Sequence, residues 1–100
     1  MSIEYKLTWE PVGPFLPAAT LKEEILKLQS YKEVAATYAD LAFKYTDLQT
    51  VPDEAFAIWC YMDHVLIAFI TGDRGRREKF LLDLTRIATS HQYRVHLDEP

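Results

Sequence analysis

The sequence predicts an α+β domain, one antiparallel sheet with helices on one face. Three observations carry this. Residues 3–10 and 93–98 alternate apolar and polar at period two, the signature of half-buried strands near the two ends of the chain. Two stretches, Leu21–Leu28 and Phe80–Ala88, carry apolar residues at helical spacing. Between them, Ala55–Met62 and Val65–Ile70 are rich in Ile, Val, Phe, Trp and Tyr and are interrupted by Asp63-His64, which reads as a hairpin.

Each element follows from its residues. Ile3, Tyr5, Leu7 and Trp9 share one face of the first strand, opposite Glu4, Lys6, Thr8 and Glu10, and the proline-rich Pro11–Pro17 ends it because proline has no amide to donate to a ladder. Thr20 and Glu23 have the spacing of a capping box for a short helix striped by Leu21, Ile25 and Leu28. Ser30 and Glu33 repeat the box, so a second helix is expected from Ser30, striped by Val34, Ala35, Tyr38, Leu41, Ala42 and Tyr45; the alternative is one long helix from Leu21 to Tyr45. Val51-Pro52 breaks any helix there. A single buried helix starting at Pro52-Asp53-Glu54 is the alternative to the hairpin, since periodicity does not separate two short apolar runs. The turn Thr71–Gly75 leads into the helix striped by Phe80, Leu81, Leu84, Ile87 and Ala88, and Tyr93, Val95 and Leu97 alternate with Arg94, His96 and Asp98 in a closing strand.

The order strand, helix (or two), strand, strand, helix, strand resembles the ferredoxin-like split βαβ plan. That plan implies a four-stranded antiparallel sheet, with the first strand central and beside the last. The polar residues of those two strands would share the open face with an apolar half supplied by the hairpin: Trp59 and Tyr61 in one register, Phe56, Ile58 and Met62 in the other. Such a face marks an interface, unless Val12–Leu16 folds over it.

The chain has 100 residues, enough for one domain spanning residues 1–100, and a net charge of −4. Residues 1–63 hold five lysines against ten carboxylates, net −5, and every arginine lies beyond them. This balance disfavours nucleic acid and anionic membranes, which need a basic field. One cysteine, Cys60, excludes an intrachain disulfide, and the start of the sequence lacks the apolar core of a signal peptide, so a cytoplasmic address is expected.

The stretch Thr71–Phe80, T-G-D-R-G-R-R-E-K-F, raises the question of an anion cradle, with Arg74, Arg76 and Arg77 as its cations. It matches neither the P-loop nor the dinucleotide fingerprint. No cysteine–histidine spacing fits zinc, and no nucleophile motif is present, so no metal, no cofactor and no catalysis are expected. His96 beside Glu4 or Glu10 is the one acid–base pairing that the strand order suggests.

A small acidic domain with spare aromatics and no catalytic set suits a protein that binds and blocks another. The expected class is an immunity protein or antitoxin, its expected partner a protein such as a basic toxin. The expected contact residues are Glu10, Asp47, Asp53, Glu54, Trp59 and Tyr61. The alternative is a ferredoxin-like homodimer that encloses a small apolar ligand, or acts as a cofactor-free enzyme through His96 or His64.

Overall fold

The computed structural model describes residues 3–46, 55–69 and 74–99. In chain order the elements are β1 (Ile3–Glu10), α1 (Ala18–Lys27), β2 (Tyr31–Glu33), β3 (Leu41–Tyr45), β4 (Ala55–Cys60), β5 (Val65–Phe69), α2 (Arg74–Ser90) and β6 (Arg94–Asp98). The strands form a six-stranded sheet in the order β2-β3-β4-β5-β1-β6, with every neighbouring pair antiparallel. The fold is therefore α+β, but the expected four-stranded sheet is replaced by a six-stranded one.

The two additional strands come from the stretch read as a second helix. A helical stripe through 34–45 requires Tyr38 inside and leaves Phe43 outside. The opposite holds: Tyr38 is 89% exposed and Phe43 is fully buried. Leu41, Phe43 and Tyr45 are buried at period two, facing Ile58 and Phe56 on β4 and Tyr31 on β2. Aromatic burial at sheet spacing outweighs the helical pattern that Leu41, Ala42 and Tyr45 also satisfy. Neither capping box acts as one. Helix α1 begins earlier, with Pro17 as its N-cap and no side-chain cap, and Leu21 N donates to Pro17 O at 2.9 Å. Ser30 lies past the end of α1, where Gln29 takes a left-handed φ of 62°, and its hydroxyl donates to Leu28 O.

The rest follows the sequence pattern. β1 pairs with β6 on one side and β5 on the other, and β4 and β5 form the hairpin. Both helices pack on one face of the sheet. Leu21 and Ile25 from α1 and Phe80, Leu81, Leu84 and Ile87 from α2 join Tyr5, Leu7, Phe56, Ile58, Val65, Ile67 and Phe69 in a single core. Phe56 sits at its centre. Its ring meets those of Tyr31, Phe43, Tyr45, Phe69 and Phe80, the last with centroids 4.3 Å apart. Tyr31 Oη also donates to Asp83 Oδ2 at 2.7 Å, tying β2 to α2, and Lys79 Nζ reaches the same oxygen at 3.3 Å.

Removing the Phe56 ring leaves a cavity at the convergence of these rings. Phe56→Ala is expected to destabilise the fold by about 3–5 kcal/mol, against less than about 0.5 kcal/mol for Leu82→Ala on the exposed side of α2. Urea unfolding followed by circular dichroism measures both, and equal midpoints for the two variants would refute this account of the core.

Candidate protein-docking groove

The hairpin register decides which aromatics reach the surface. Phe56 and Ile58 point to the helices, so Ala57 and Trp59 point to the open face. There Ala42, Ala57 and Ala68 stand directly opposite one another across β3, β4 and β5. The segment Val34–Ala39 lies alongside, enclosing with Ala42, Ala55, Ala57 and Trp59 a small hollow of about 260 Å³. The Trp59 indole is half-buried and donates to Tyr38 O at 2.8 Å. Asp40, at the end of the same segment, accepts the Cys60 amide on Oδ2 at 2.7 Å. The hairpin side of the open face is thus floored by alanine methyls beside the chain's own loop, where a broad aromatic platform was expected. The remaining half is charged as expected: Lys6 faces Asp98, Thr8 faces His96 and Glu10 faces Arg94.

Three of the exposed apolar side chains, Val12, Tyr61 and Met62, gather at the end of the sheet where β1 leaves and the β4–β5 turn closes. Trp9 is on the helix side, and its indole donates to Gly13 O at 2.8 Å. Phe15 packs between Trp9 and Tyr93, at 4.7 and 4.9 Å, and Tyr93 Oη donates to Pro14 O at 3.0 Å. Leu16 is buried in the core. Gly13 has φ +137°, a backbone geometry that side chains resist. These ties hold Pro11–Leu16 against the inner layer and turn Val12 fully outward.

Opposite lies the hairpin tip. Tyr61 N donates to His64 O at 2.9 Å, and the Tyr61 ring stacks on His64 with centroids 4.6 Å apart. Met62, at the apex, is 95% exposed, and Tyr61 is 49% exposed. Between the two segments runs an open groove of about 530 Å³, walled by Val12, Phe15, Leu16, Cys60, Met62 and Val65. Asp63 stands on its rim, with Oδ1 2.7 Å from His64 Nδ1. That hydrogen bond, first among several influences, holds the Asp63 carboxyl below its ordinary value. Asp63 therefore stays ionised at neutral pH.

Cys60 is the one thiol in the groove. Burial, and secondarily the Asp40 carboxylate, pushes its thiol from 9.0 up to about 11. At neutral pH it is protonated and a poor nucleophile.

Of the expected contact residues, Glu10, Trp59 and Tyr61 are all at this end of the sheet, but only Tyr61 lines the groove. Glu10 is on the open face, with Oε2 3.8 Å from His96 Nε2 and 4.0 Å from Arg94 Nη1. The pairing of His96 with Glu10 is therefore present, but on exposed surface. Asp47, Asp53 and Glu54 lie outside the described residues. Among the described residues, the three arginines of the Thr71–Phe80 stretch line two different hollows. Arg74 and Arg77 line a hollow with Glu78 and Glu99, and Arg74 Nε bonds Glu78 at 2.9 Å. Arg76 faces another hollow with Lys79 and lies 5.7 Å from the centre of the Tyr45 ring. Among the described residues, no three His, Cys, Asp or Glu side chains converge where they could hold a metal ion. No helix among the described residues is long and apolar enough to cross a membrane.

Val12, Phe15 and Leu16 were read only as part of a segment that could cover the sheet, and Met62 as an outward residue of the hairpin in one register, so none was placed in a shared site. The available signal was their apolar character in positions where turns carry Asn, Gly or Asp.

No protein-family model matches the chain, and no match was found among curated proteins or solved structures.

Because the folded thiol ionises near pH 11 and the unfolded one near 9.0, the protonated Cys60 contributes stability below pH 9 that is lost as pH rises through 11. The same shift leaves roughly 100-fold less thiolate in the folded chain at pH 8. Alkylation by iodoacetamide at pH 8 is expected to be slower in the native protein than in urea by about that factor; equal rates would contradict the burial of this thiol.

Proposed function

We propose that the chain is a non-catalytic protein-binding module whose docking site is the groove between Val12–Leu16 and the β4–β5 turn. The observation that carries this reading is the exposure of Val12, Tyr61 and Met62 around one apolar depression. Contiguous exposed apolar surface, with a tyrosine and a methionine at its edge, has the composition of an interface core. The side chains are held out by a fixed frame: the Trp9–Phe15–Tyr93 stack on one wall and the closed hairpin tip on the other. A preorganised surface loses little entropy on binding.

The partner class that fits is a protein offering an apolar side chain to the groove and a lysine or arginine to Asp63. The net charge of −4 favours encounter with a basic protein. The finer reading is an inhibitor of the immunity-protein or antitoxin type, which covers the active surface of a basic toxin. It is supported by the acidic balance and the absence of any nucleophile or catalytic motif in the sequence.

Tagged wild-type chain and the variants Val12→Asp and Met62→Asp would be used as bait in extracts of the native host. The expected outcome is one partner retained by the wild type and weakened at least tenfold by either variant, with unchanged circular dichroism. If that partner is a toxin, wild-type chain suppresses its activity and the variants do not. A partner held equally by all three, or no partner at all, would count against this site.

A further inference from the structure

β6 ends the sheet: one edge pairs with β1, and no strand lies along its other edge among the described residues. Such an edge presents backbone N–H and C=O groups that template a further strand. Two properties of β6 decide what that strand is. The first is its length of five residues, against three for β2 at the opposite edge. The second is its sequence, Arg94-Val95-His96-Leu97-Asp98, which is charge-complementary to itself when reversed.

We infer that the chain forms a twofold dimer through β6, paired antiparallel with β6 of a second copy and centred on His96. In this register Arg94 of each copy faces Asp98 of the other, Val95 faces Leu97, and the two His96 residues meet at the axis. Directly opposed side chains in an antiparallel pair are neighbours, and opposite charges there stabilise while like charges destabilise. The charged pairs fall on the open face, where Arg94 is largely exposed and His96 more than half exposed. Val95 and Leu97 fall on the helix side, where they are only partly buried against their own core and gain cover from the second copy. A twofold axis normal to the sheet keeps the helices of both copies on the same side, and among such registers only the one centred on His96 pairs all five residues.

The other edge does not do this. Centring β2 on itself sets Lys32 against Lys32 and offers three residues. Short strands and lysines are the devices that blunt an edge. A five-residue pairing also buries less than a standard interface, so the dimer is reversible and its population depends on concentration. β6 contributes no residue to the groove, so partner docking and self-association use separate surfaces.

The test is a charge swap read by sedimentation velocity over a concentration series. Arg94→Asp alone sets Asp against Asp98, and Asp98→Arg alone sets Arg against Arg94; each is expected to weaken self-association about tenfold or more. Mixing these two variants restores opposite charges at both ends of the pairing and is expected to recover a dimer. In the wild type, hydrogen exchange of the β6 amides is expected to slow with rising concentration. A wild type that stays monomeric at its solubility limit, a dimer that both single variants leave unchanged, or a mixture that associates no better than its components would overturn the proposal.

Discussion

The ring of Phe56 is the constraint around which the helix-side layer is arranged. It comes from β4, and the rings that meet it come from β2, β3, β5 and α2. Aromatic pairs prefer tilted and edge-on arrangements. Satisfying several at one ring restricts where the neighbouring backbones can lie. Phe43 and Tyr45 can both reach Phe56 only from an extended segment paired with β4, and Tyr31 can stack near Tyr45 only from a strand beside β3. The widening of the sheet beyond four strands is the backbone's answer to that cluster. Phe80 closes it from α2, which fixes the helix over the hairpin.

This explains what could be read in advance. β1, β6 and the β4–β5 hairpin were legible because each is either strictly alternating or densely apolar and bounded by polar turn residues. α2 was legible because its stripe is regular. The segment 30–45 was not, because Leu41, Ala42 and Tyr45 satisfy helical spacing and sheet spacing together. The residue that separates the two, Phe43, declares itself only through its long-range partner Phe56. Tyr31–Glu33 is too short to carry a period at all. The two Ser/Thr-x-x-Glu spacings pointed to helix starts that the backbone does not use, since Pro17 already begins α1 and Gln29 already ends it.

The candidate site was legible in part for the same reason. Tyr61 was recognisable as a surplus aromatic near the hairpin tip. Trp59 was recognisable too, but its register sends the indole beneath the Tyr38 carbonyl. The groove itself depends on two segments more than 40 residues apart in sequence coming together at one end of the sheet. Nothing in local spacing announces that meeting. It follows from β1 and β5 being neighbours, and from the Trp9, Phe15 and Tyr93 rings anchoring the proline-rich segment to the inner layer.

The alanines of the open face set a clearance. Ala42, Ala55 and Ala57 leave a hollow beside Val34–Ala39, and the bond from the Trp59 indole to Tyr38 O holds that segment next to it. Bulk added at any of the three would enter that hollow and leave the helix-side core intact. The outer layer is thus governed by volume where the inner layer is governed by ring geometry, and sequence drift on the two sides of β3 and β4 obeys different rules.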